Sequence, residues 1–122
     1  LKGCLDAFFR ELYGPEVSTR FRPSFFGFVE PGFEVDLKCF VCNNTGQKAD
    51  GSTCSLCGGA GWVEMGGAGM VNPKVLDAVG VDKKVWNGFA FGFGTERLAM
   101  LKHAIPDIRR LYEGDRRLID QF

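Results

Sequence analysis

The sequence predicts an α+β fold, in which an antiparallel sheet carries a pocket and helices pack on that sheet. Two segments have the apolar spacing of amphipathic helices, at residues 1–13 and from Thr95 onward. Several segments between them alternate with a period of two and are bounded by Gly and Pro, which is typical of strands and turns. The chain has 122 residues, 45% of them hydrophobic, which suits one hydrophobic core.

Charge and hydropathy exclude two classes of protein. Lys and Arg number 15, as do Asp and Glu, so the net charge is zero and no basic stripe favours nucleic acid by counterion release alone. No apolar run approaches the roughly 18 residues of a membrane span, and residues 1–14 lack the layout of a signal peptide. We therefore expect a cytoplasmic protein without a membrane partner. Because the chain opens on Leu1 within a helical pattern, we also expect it to be part of a longer protein.

The first helix is predicted over residues 1–13, and Gly14-Pro15 ends it. Its apolar face consists of Leu1, Cys4, Leu5, Phe8, Phe9 and Leu12. We expect Cys4 to be a small buried residue on that face.

Residues 20–29, RFRPSFFGFV, predict the first strand. The alternation of side chains along a strand places Phe26 and Phe28 on one face and Val29 on the other. Pro31-Gly32 then predicts a turn.

Four of the five cysteines form two C-x-x-C pairs: Cys39, Cys42, Cys54 and Cys57. Predicted strands at residues 33–37 and 62–65 enclose them, so residues 39–61 form the tip of a β-hairpin. Two C-x-x-C turns can direct four thiolates to one Zn²⁺, and four Cys ligands leave no open position for a reactive water, which indicates a structural zinc site. Disulfides are the alternative, but a chain without a secretory signal is expected in a reducing compartment.

Two further elements follow the hairpin. Asn72 and Pro73 predict the start of a short helix over residues 74–79, which Gly80 ends. Residues 88–94 predict a strand with two unlike faces: Phe89, Phe91 and Phe93 on one, and Ala90, Gly92 and Gly94 on the other. Glycine inside a strand often marks the close approach of a ligand, so this bare face predicts the floor of a pocket.

The helix after this strand carries Arg97 in its first turn. We expect Thr95 to cap it and Leu98, Leu101 and Ile105 to form its buried stripe. An arginine there is unfavourable for the helix dipole, so it indicates a compensating anion such as a polyphosphate. The alternative is an ion pair between Arg97 and Glu96 or another nearby carboxylate.

Several long strings resemble one enzyme family. FRPSFFGFVEPGFEVD, GGAGMVNPKVLDAVGVD and GFAFGFGTERLAML occur in the order seen in the alpha-subunit catalytic domain of bacterial-type phenylalanyl-tRNA synthetases. The resemblance extends over residues 1–122 apart from residues 39–61, which resemble a four-cysteine insertion found in some members. It implies a class II aminoacyl-tRNA synthetase sheet and ATP-dependent activation of phenylalanine, followed by its transfer to tRNA(Phe). Residues 1–122 would be the C-terminal part of that domain.

The resemblance also implies residue roles. GFGTERL is similar to motif 3, which makes Arg97 the catalytic arginine that holds the ATP polyphosphate. The implied substrate-binding residues are Phe26, Phe28, Val29, Ala90 and Gly92. Glu30 matches a ligand position for Mg²⁺ that is shared with the beta subunit, and a carboxylate that caps a turn before Pro31 is the alternative. The chain departs from the family at Gly27, where Pro is common, and at Asn72, where His is common.

Motifs 1 and 2 and the beta subunit are absent from this sequence, so the resemblance implies that the chain alone cannot form phenylalanyl-adenylate. The implied partners are phenylalanine, ATP with Mg²⁺, tRNA(Phe) and a beta subunit, in a heterotetramer of two alpha and two beta subunits. Sheet edges and apolar surface that those parts would cover are expected to be exposed.

A second interpretation assigns the chain to a different class. CSLCGGAGW fits C-x-x-C-x-G-x-G, and CFVCNNTG approaches it, so residues 39–61 are also similar to the cysteine-rich zinc module of DnaJ-type chaperones. In that interpretation the chain is a protein-interaction module. It leaves FRPSFF and GFAFGFGTERL without a role.

Overall fold

The predicted α+β class is confirmed by a computed structural model that describes residues 1–105 and 107–121. The chain divides into two units, Leu1–Gly92 and Phe93–Phe122. The elements of the sheet and its flanking helices are α1 (Lys2–Tyr13), β1 (Thr19–Phe26), β2 (Val29–Lys38), β3 (Trp62–Val71), α2 (Pro73–Ala78) and β4 (Phe89–Phe93). They are followed by α3 (Thr95–Lys102), a 3-10 helix (Ile108–Leu111) and α4 (Arg116–Ile119).

The four strands lie in the order β1-β2-β3-β4, and β2 is antiparallel to both β1 and β3. Consecutive strands are therefore neighbours, as hairpin connections require. β3 is longer than predicted, because the strand continues from Met65 through the glycine-rich segment to Val71.

The continuous strand predicted over residues 20–29 is wrong, because the chain reverses within it. Phe26 is the partner of Val29 in the β1–β2 register, so Gly27 and Phe28 form a two-residue turn. The turn predicted at Pro31-Gly32 is also wrong, since both residues lie inside β2 where the register with β3 shifts. Proline cannot donate a ladder hydrogen bond, and a bulge accommodates that loss within a strand.

The two faces of the sheet differ in polarity. One face packs with α1 and is apolar: its buried residues are Val35, Leu37, Val63, Met65 and Ala68, with Leu5 and Phe9 of the helix. Lys2 places α1 on this face, because its Nζ atom lies 5.2 Å from the ring centroid of Phe21 and 5.8 Å from that of Phe33. Asp6 of α1 also accepts a hydrogen bond from Thr19 at the start of β1.

The burial of Cys4 was predicted incorrectly. Leu5 and Phe9, one helical turn apart, are the fully buried residues of α1, whereas Cys4 is exposed and Phe8 is partly exposed. Each residue advances about 100° around a helix. Cys4 and Phe8, one position before Leu5 and Phe9, are therefore rotated by about 100° from the side of α1 that faces the sheet.

The other face of the sheet carries a buried ionic cluster that the sequence patterns did not reveal. Asp36 of β2 is 1% exposed. Its Oδ2 accepts hydrogen bonds from Nη2 of Arg20 at 2.6 Å and from Nε of Arg22 at 2.6 Å, and its Oδ1 accepts one from Nη2 of Arg22 at 3.0 Å. Burial alone would raise the pKa of Asp36, but the hydrogen bonds from Arg22 and Arg20 outweigh it and hold the pKa below its ordinary value.

The cluster continues to the next strand and along β2. Nη2 of Arg22 also lies 2.7 Å from Oε2 of Glu34 and 3.6 Å from Oε2 of Glu64 on β3. Oγ of Ser24 donates to Oε1 of Glu34 at 3.1 Å. Side chains from β1, β2 and β3 are thereby joined across one face of the sheet.

In the second unit, the predicted cap of α3 is wrong. Gly94 is the N-cap residue, and Thr95 is the first helical residue, whose hydroxyl donates to Oε2 of Glu96. Leu101 and Ile105 are buried as predicted, although α3 ends at Lys102, and Leu98 is partly exposed.

Within the described residues, no helix is long and apolar enough to cross a membrane.

We expect Asp36→Asn to lower the free energy of unfolding, because it leaves two guanidinium groups without their shared carboxylate. Removing one partner of a fully buried pair typically costs 3–5 kcal/mol. Arg20 and Arg22 are 40% and 42% exposed, so we expect roughly 1–3 kcal/mol here. Urea denaturation measures the change. The control is Asp77→Asn, which removes one partner of the exposed ion pair with Lys83. An equal decrease in the free energy of unfolding in the two variants would contradict a structural role for Asp36.

Candidate functional site

The two aromatic residues predicted to bind substrate lie together at the β1–β2 turn. Phe26 ends β1 and Phe28 lies in the turn, and their ring centroids are 6.1 Å apart with an angle of 37° between the rings. The turn, and not strand alternation, brings the rings together. Phe26 is partly buried, whereas Phe28 is 58% exposed, so the pair has an accessible side.

Val29, the third predicted residue of this site, begins β2 and is 3% exposed. Glycines of β2 and β3 surround it and Phe26 so closely that a side chain would collide. A Cβ atom at Gly69 would lie 2.6 Å from Cβ of Val29, and one at Gly67 would lie 2.9 Å from Cζ of Phe26. A Cβ at Gly32 would lie 2.6 Å from the backbone oxygen of Ser24.

These three glycines were missed as functional candidates, although the sequence holds a signal for them. Gly67 and Gly69 belong to the run GGAGM, and glycine in a strand interior marks close approach by another group. The strand of Ala90 and Gly92 shows the same signal and is the one predicted to form a pocket floor. The approaching group at Gly67 is an aromatic ring of this chain, which strand periodicity alone does not identify.

Ala90 and Gly92 lie on β4, the outer strand beside β3. A Cβ atom at Gly92 would meet no atom within 4 Å, and Ala90 is partly buried, so this part of the strand is open. Phe89 and Phe91 stack side by side with their centroids 6.5 Å apart, as the predicted alternation requires. That the bare face forms a pocket floor stays a prediction.

Glu30, the predicted magnesium ligand, has an exposed side chain on β2. Its Oε2 accepts a hydrogen bond of 3.4 Å from Nδ2 of Asn72. Asn72 has the capping role predicted for it, because its Oδ1 accepts from the backbone N–H of Lys74 at 3.0 Å. α2 thus starts beside the carboxylate of Glu30. Pro31 lies within the strand, so Glu30 does not precede a turn at that residue.

The four paired cysteines converge at the tip between β2 and β3. Their sulfur atoms all lie within 4.8 Å of one another: Cys39, Cys42, Cys54 and Cys57. The Sγ atoms of Cys39 and Cys54 are 3.8 Å apart, and those of Cys42 and Cys57 are 3.6 Å apart. A tetrahedron with metal–sulfur distances of about 2.3 Å has edges of about 3.8 Å, so the spacing fits a four-coordinate metal.

Two similar turns build this cluster. Each C-x-x-C pair is followed by a glycine whose backbone N–H donates to the second sulfur at 3.3 Å, from Gly46 to Cys42 and from Gly61 to Cys57. Both glycines have φ of +76°, and a side chain at either would collide with the backbone of the opposite turn. The glycine in each turn is therefore required by conformation and by contact.

The surroundings of the thiols differ. Burial raises the pKa of Cys39 to about 12. Burial also opposes ionisation of Cys42, but hydrogen bonds from Cys39 and from the N–H of Gly46 outweigh it and lower its pKa to about 7. Cys57 is the most accessible of the four, and the others are buried. The lone Cys4 is exposed on α1.

Arg97 lies in the first turn of α3, in the second unit, with its side chain exposed. Hydrogen bonds from its own backbone N–H, then from Tyr112 and Thr95, lower the pKa of the neighbouring Glu96. That Arg97 acts on a polyphosphate stays a prediction.

Comparison with known proteins relates the chain to enzymes that charge tRNA. The family described as the class II core domain of tRNA synthetases (F) matches residues 1–122. The chain is 50% identical over 122 residues to the phenylalanine–tRNA ligase alpha subunit of Lawsonia intracellularis, 50% to that of Clostridium perfringens and 52% to that of Geobacillus thermodenitrificans. The alignments cover 100% of this chain and 33–35% of those subunits, so the chain spans about a third of their length.

Proposed function

Because the chain belongs to the family of class II tRNA synthetase core domains, we propose that it forms part of phenylalanine–tRNA ligase. The proposed reaction is the ATP-dependent activation of phenylalanine to its adenylate, followed by transfer to tRNA(Phe). The proposed partners are phenylalanine, ATP with Mg²⁺, tRNA(Phe) and a beta subunit, in a heterotetramer of two alpha and two beta subunits. The match to the family over residues 1–122 also disfavours the chaperone-type module as the whole function.

The pair formed by Phe26 and Phe28 is the main observation that supports phenylalanine as the substrate. Aromatic rings attract one another in tilted or edge-to-face arrangements with centroids 4.5–7 Å apart. Phe26 and Phe28 are tilted by 37° at 6.1 Å, and Phe28 is well exposed, so a third ring can contact both. We assign the buried Val29 to the wall of this pocket, and Ala90 and Gly92 to its floor, where a methyl group and a hydrogen atom leave room for a ring.

In the proposed reaction the substrate carboxylate attacks the α-phosphorus of ATP, and pyrophosphate leaves. The protein needs no nucleophile of its own, so its contribution is orientation and stabilisation of negative charge. The guanidinium group of Arg97 is suited to bidentate contact with phosphate oxygens. Bound Mg²⁺ would neutralise phosphate charge, and the exposed carboxylate of Glu30 is a suitable oxygen ligand for it.

We also propose that the four-cysteine cluster binds one structural Zn²⁺. All four positions of a tetrahedral site are filled by cysteine, so the metal would organise the tip without taking part in the reaction. Two N–H groups directed at the sulfurs would stabilise the thiolates.

Elemental analysis is expected to find about one zinc per chain, since four sulfurs at this spacing form one closed site. Cys39→Ser removes a buried ligand and is expected to abolish stoichiometric zinc. Cys4→Ser, at the cysteine outside the cluster, is the control and is expected to keep it. A folded, zinc-free protein with four reactive thiols would overturn the assignment.

Arg97→Ala is expected to slow adenylate formation by about 10²–10³-fold, the usual cost of losing one group that stabilises transition-state charge. The measurement is phenylalanine-dependent pyrophosphate exchange by the holoenzyme that contains this segment. Arg116→Ala removes an exposed arginine of the same unit and is expected to leave the rate unchanged. An unchanged rate in Arg97→Ala would exclude this residue from the mechanism.

Ala90→Gly is expected to admit phenylalanines substituted on the ring, because removal of a methyl group deepens the proposed pocket. A difference of one methyl group typically changes discrimination about 10-fold or more. Exchange rates with phenylalanine and with its para-halogenated analogues measure this ratio. Ala60→Gly, a loop change outside the pocket, is the control; if Ala90→Gly discriminates as strongly as the parent enzyme, Ala90 does not limit the pocket.

A further inference from the structure

Gly67 of β3 lies directly beneath the ring of Phe26. A Cβ atom placed on Gly67 would lie 2.9 Å from Cζ, 3.1 Å from Cε2 and 3.4 Å from Cε1 of that ring. Carbon atoms in favourable contact are about 3.5–4.0 Å apart, so even one methyl group would displace the ring. The three nearest atoms are all on the outer part of this one side chain.

The other two glycines of the site differ in what they contact. A Cβ atom at Gly32 would lie 2.6 Å from the backbone oxygen of Ser24, and one at Gly69 would lie 2.6 Å from that of Pro31. A side chain at either position would force the strands apart. A Cβ at Gly32 would also lie 3.3 Å from Cδ2 of Phe26, but its closest contact, like that of a Cβ at Gly69, is with backbone. Only at Gly67 are all three nearest atoms part of the Phe26 ring.

We infer that Gly67 is a positioning residue that determines how the Phe26 ring meets an aromatic substrate. The inference rests on the proposed function, because it takes Phe26 as a wall of the phenylalanine pocket. With no side chain at residue 67, the ring settles against the backbone of β3 and keeps its 6.1 Å distance from Phe28. A methyl group at residue 67 would push the ring away from β3, toward the side on which the proposed substrate would bind.

The strand pairing supports this role. Gly67 is the partner of Glu34 in the β2–β3 register, and Glu34 holds Ser24 of β1 through a hydrogen bond of 3.1 Å. Ser24 and Phe26 are two residues apart at the end of β1, where the register with β2 shifts. Gly67 is thus paired with a member of the ionic cluster, and the Phe26 ring is the group nearest to an added side chain at residue 67.

The test is phenylalanine-dependent pyrophosphate exchange by the holoenzyme with Gly67→Ala in this segment. We expect the KM for phenylalanine to rise about 3–10-fold, the value of one weakened aromatic contact, with the KM for ATP unchanged. Gly3→Ala, at a glycine with no atom within 4 Å of an added Cβ, is the control and is expected to alter neither constant.

A double-substitution cycle separates positioning from a general loss of stability. Phe26→Leu shortens the side chain above residue 67, so adding Gly67→Ala to it is expected to raise the KM for phenylalanine by less than twofold. The inference would be overturned if Gly67→Ala raised the KM for phenylalanine by the same factor with and without Phe26→Leu. It would also be overturned if Gly67→Ala alone left that KM unchanged. If the parent holoenzyme itself shows no phenylalanine-dependent exchange, the proposed function fails instead, and the two failures are thereby distinguished.

Discussion

One buried carboxylate holds the strand register on which the proposed pocket depends. The carboxylate of Asp36 on β2 accepts hydrogen bonds from Arg20 and Arg22 of β1. Arg22 also forms an ion pair with Glu64 of β3. A slip of one residue in strand pairing would exchange the faces of the sheet and place this charge against the apolar helix. The cost of burying an unpaired carboxylate therefore selects a single register. The same register sets Phe26 beside the turn and above Gly67.

The predictions that were confirmed rest on local chemistry. The helix over residues 1–13, the Asn72 cap and the convergence of two C-x-x-C turns each depend on residues a few positions apart. Caps, helical spacing and short metal-ligand turns are properties of neighbouring residues, so sequence reveals them. The resemblance to class II tRNA synthetases was based on several long strings of residues. The match of the family model to residues 1–122 confirms it.

The errors arise where contacts link distant residues. The aromatic residues between Arg20 and Val29 fit one long strand as well as two strands joined by a tight turn at Gly27 and Phe28, because strand pairing is not visible in local spacing. The partners of Asp36 lie on another strand, so the sequence shows only three ordinary charged residues. Cys4 is on the apolar side of a helical projection, yet the contact line of α1 passes through Leu5 and Phe9 instead.

The four-cysteine tip affects the pairing of β2 with β3 through the conformational entropy of the chain. Residues 39–61 would otherwise be a long open connection between β2 and β3, and closing such a loop costs conformational freedom that grows with its length. A metal ion shared by the four sulfurs would divide this connection into short turns. Pairing of Lys38 with Trp62 then continues along β3 toward Gly67. A metal at the far end of the hairpin would thus favour the strand alignment that places the Phe26 ring over Gly67, without contacting the proposed pocket.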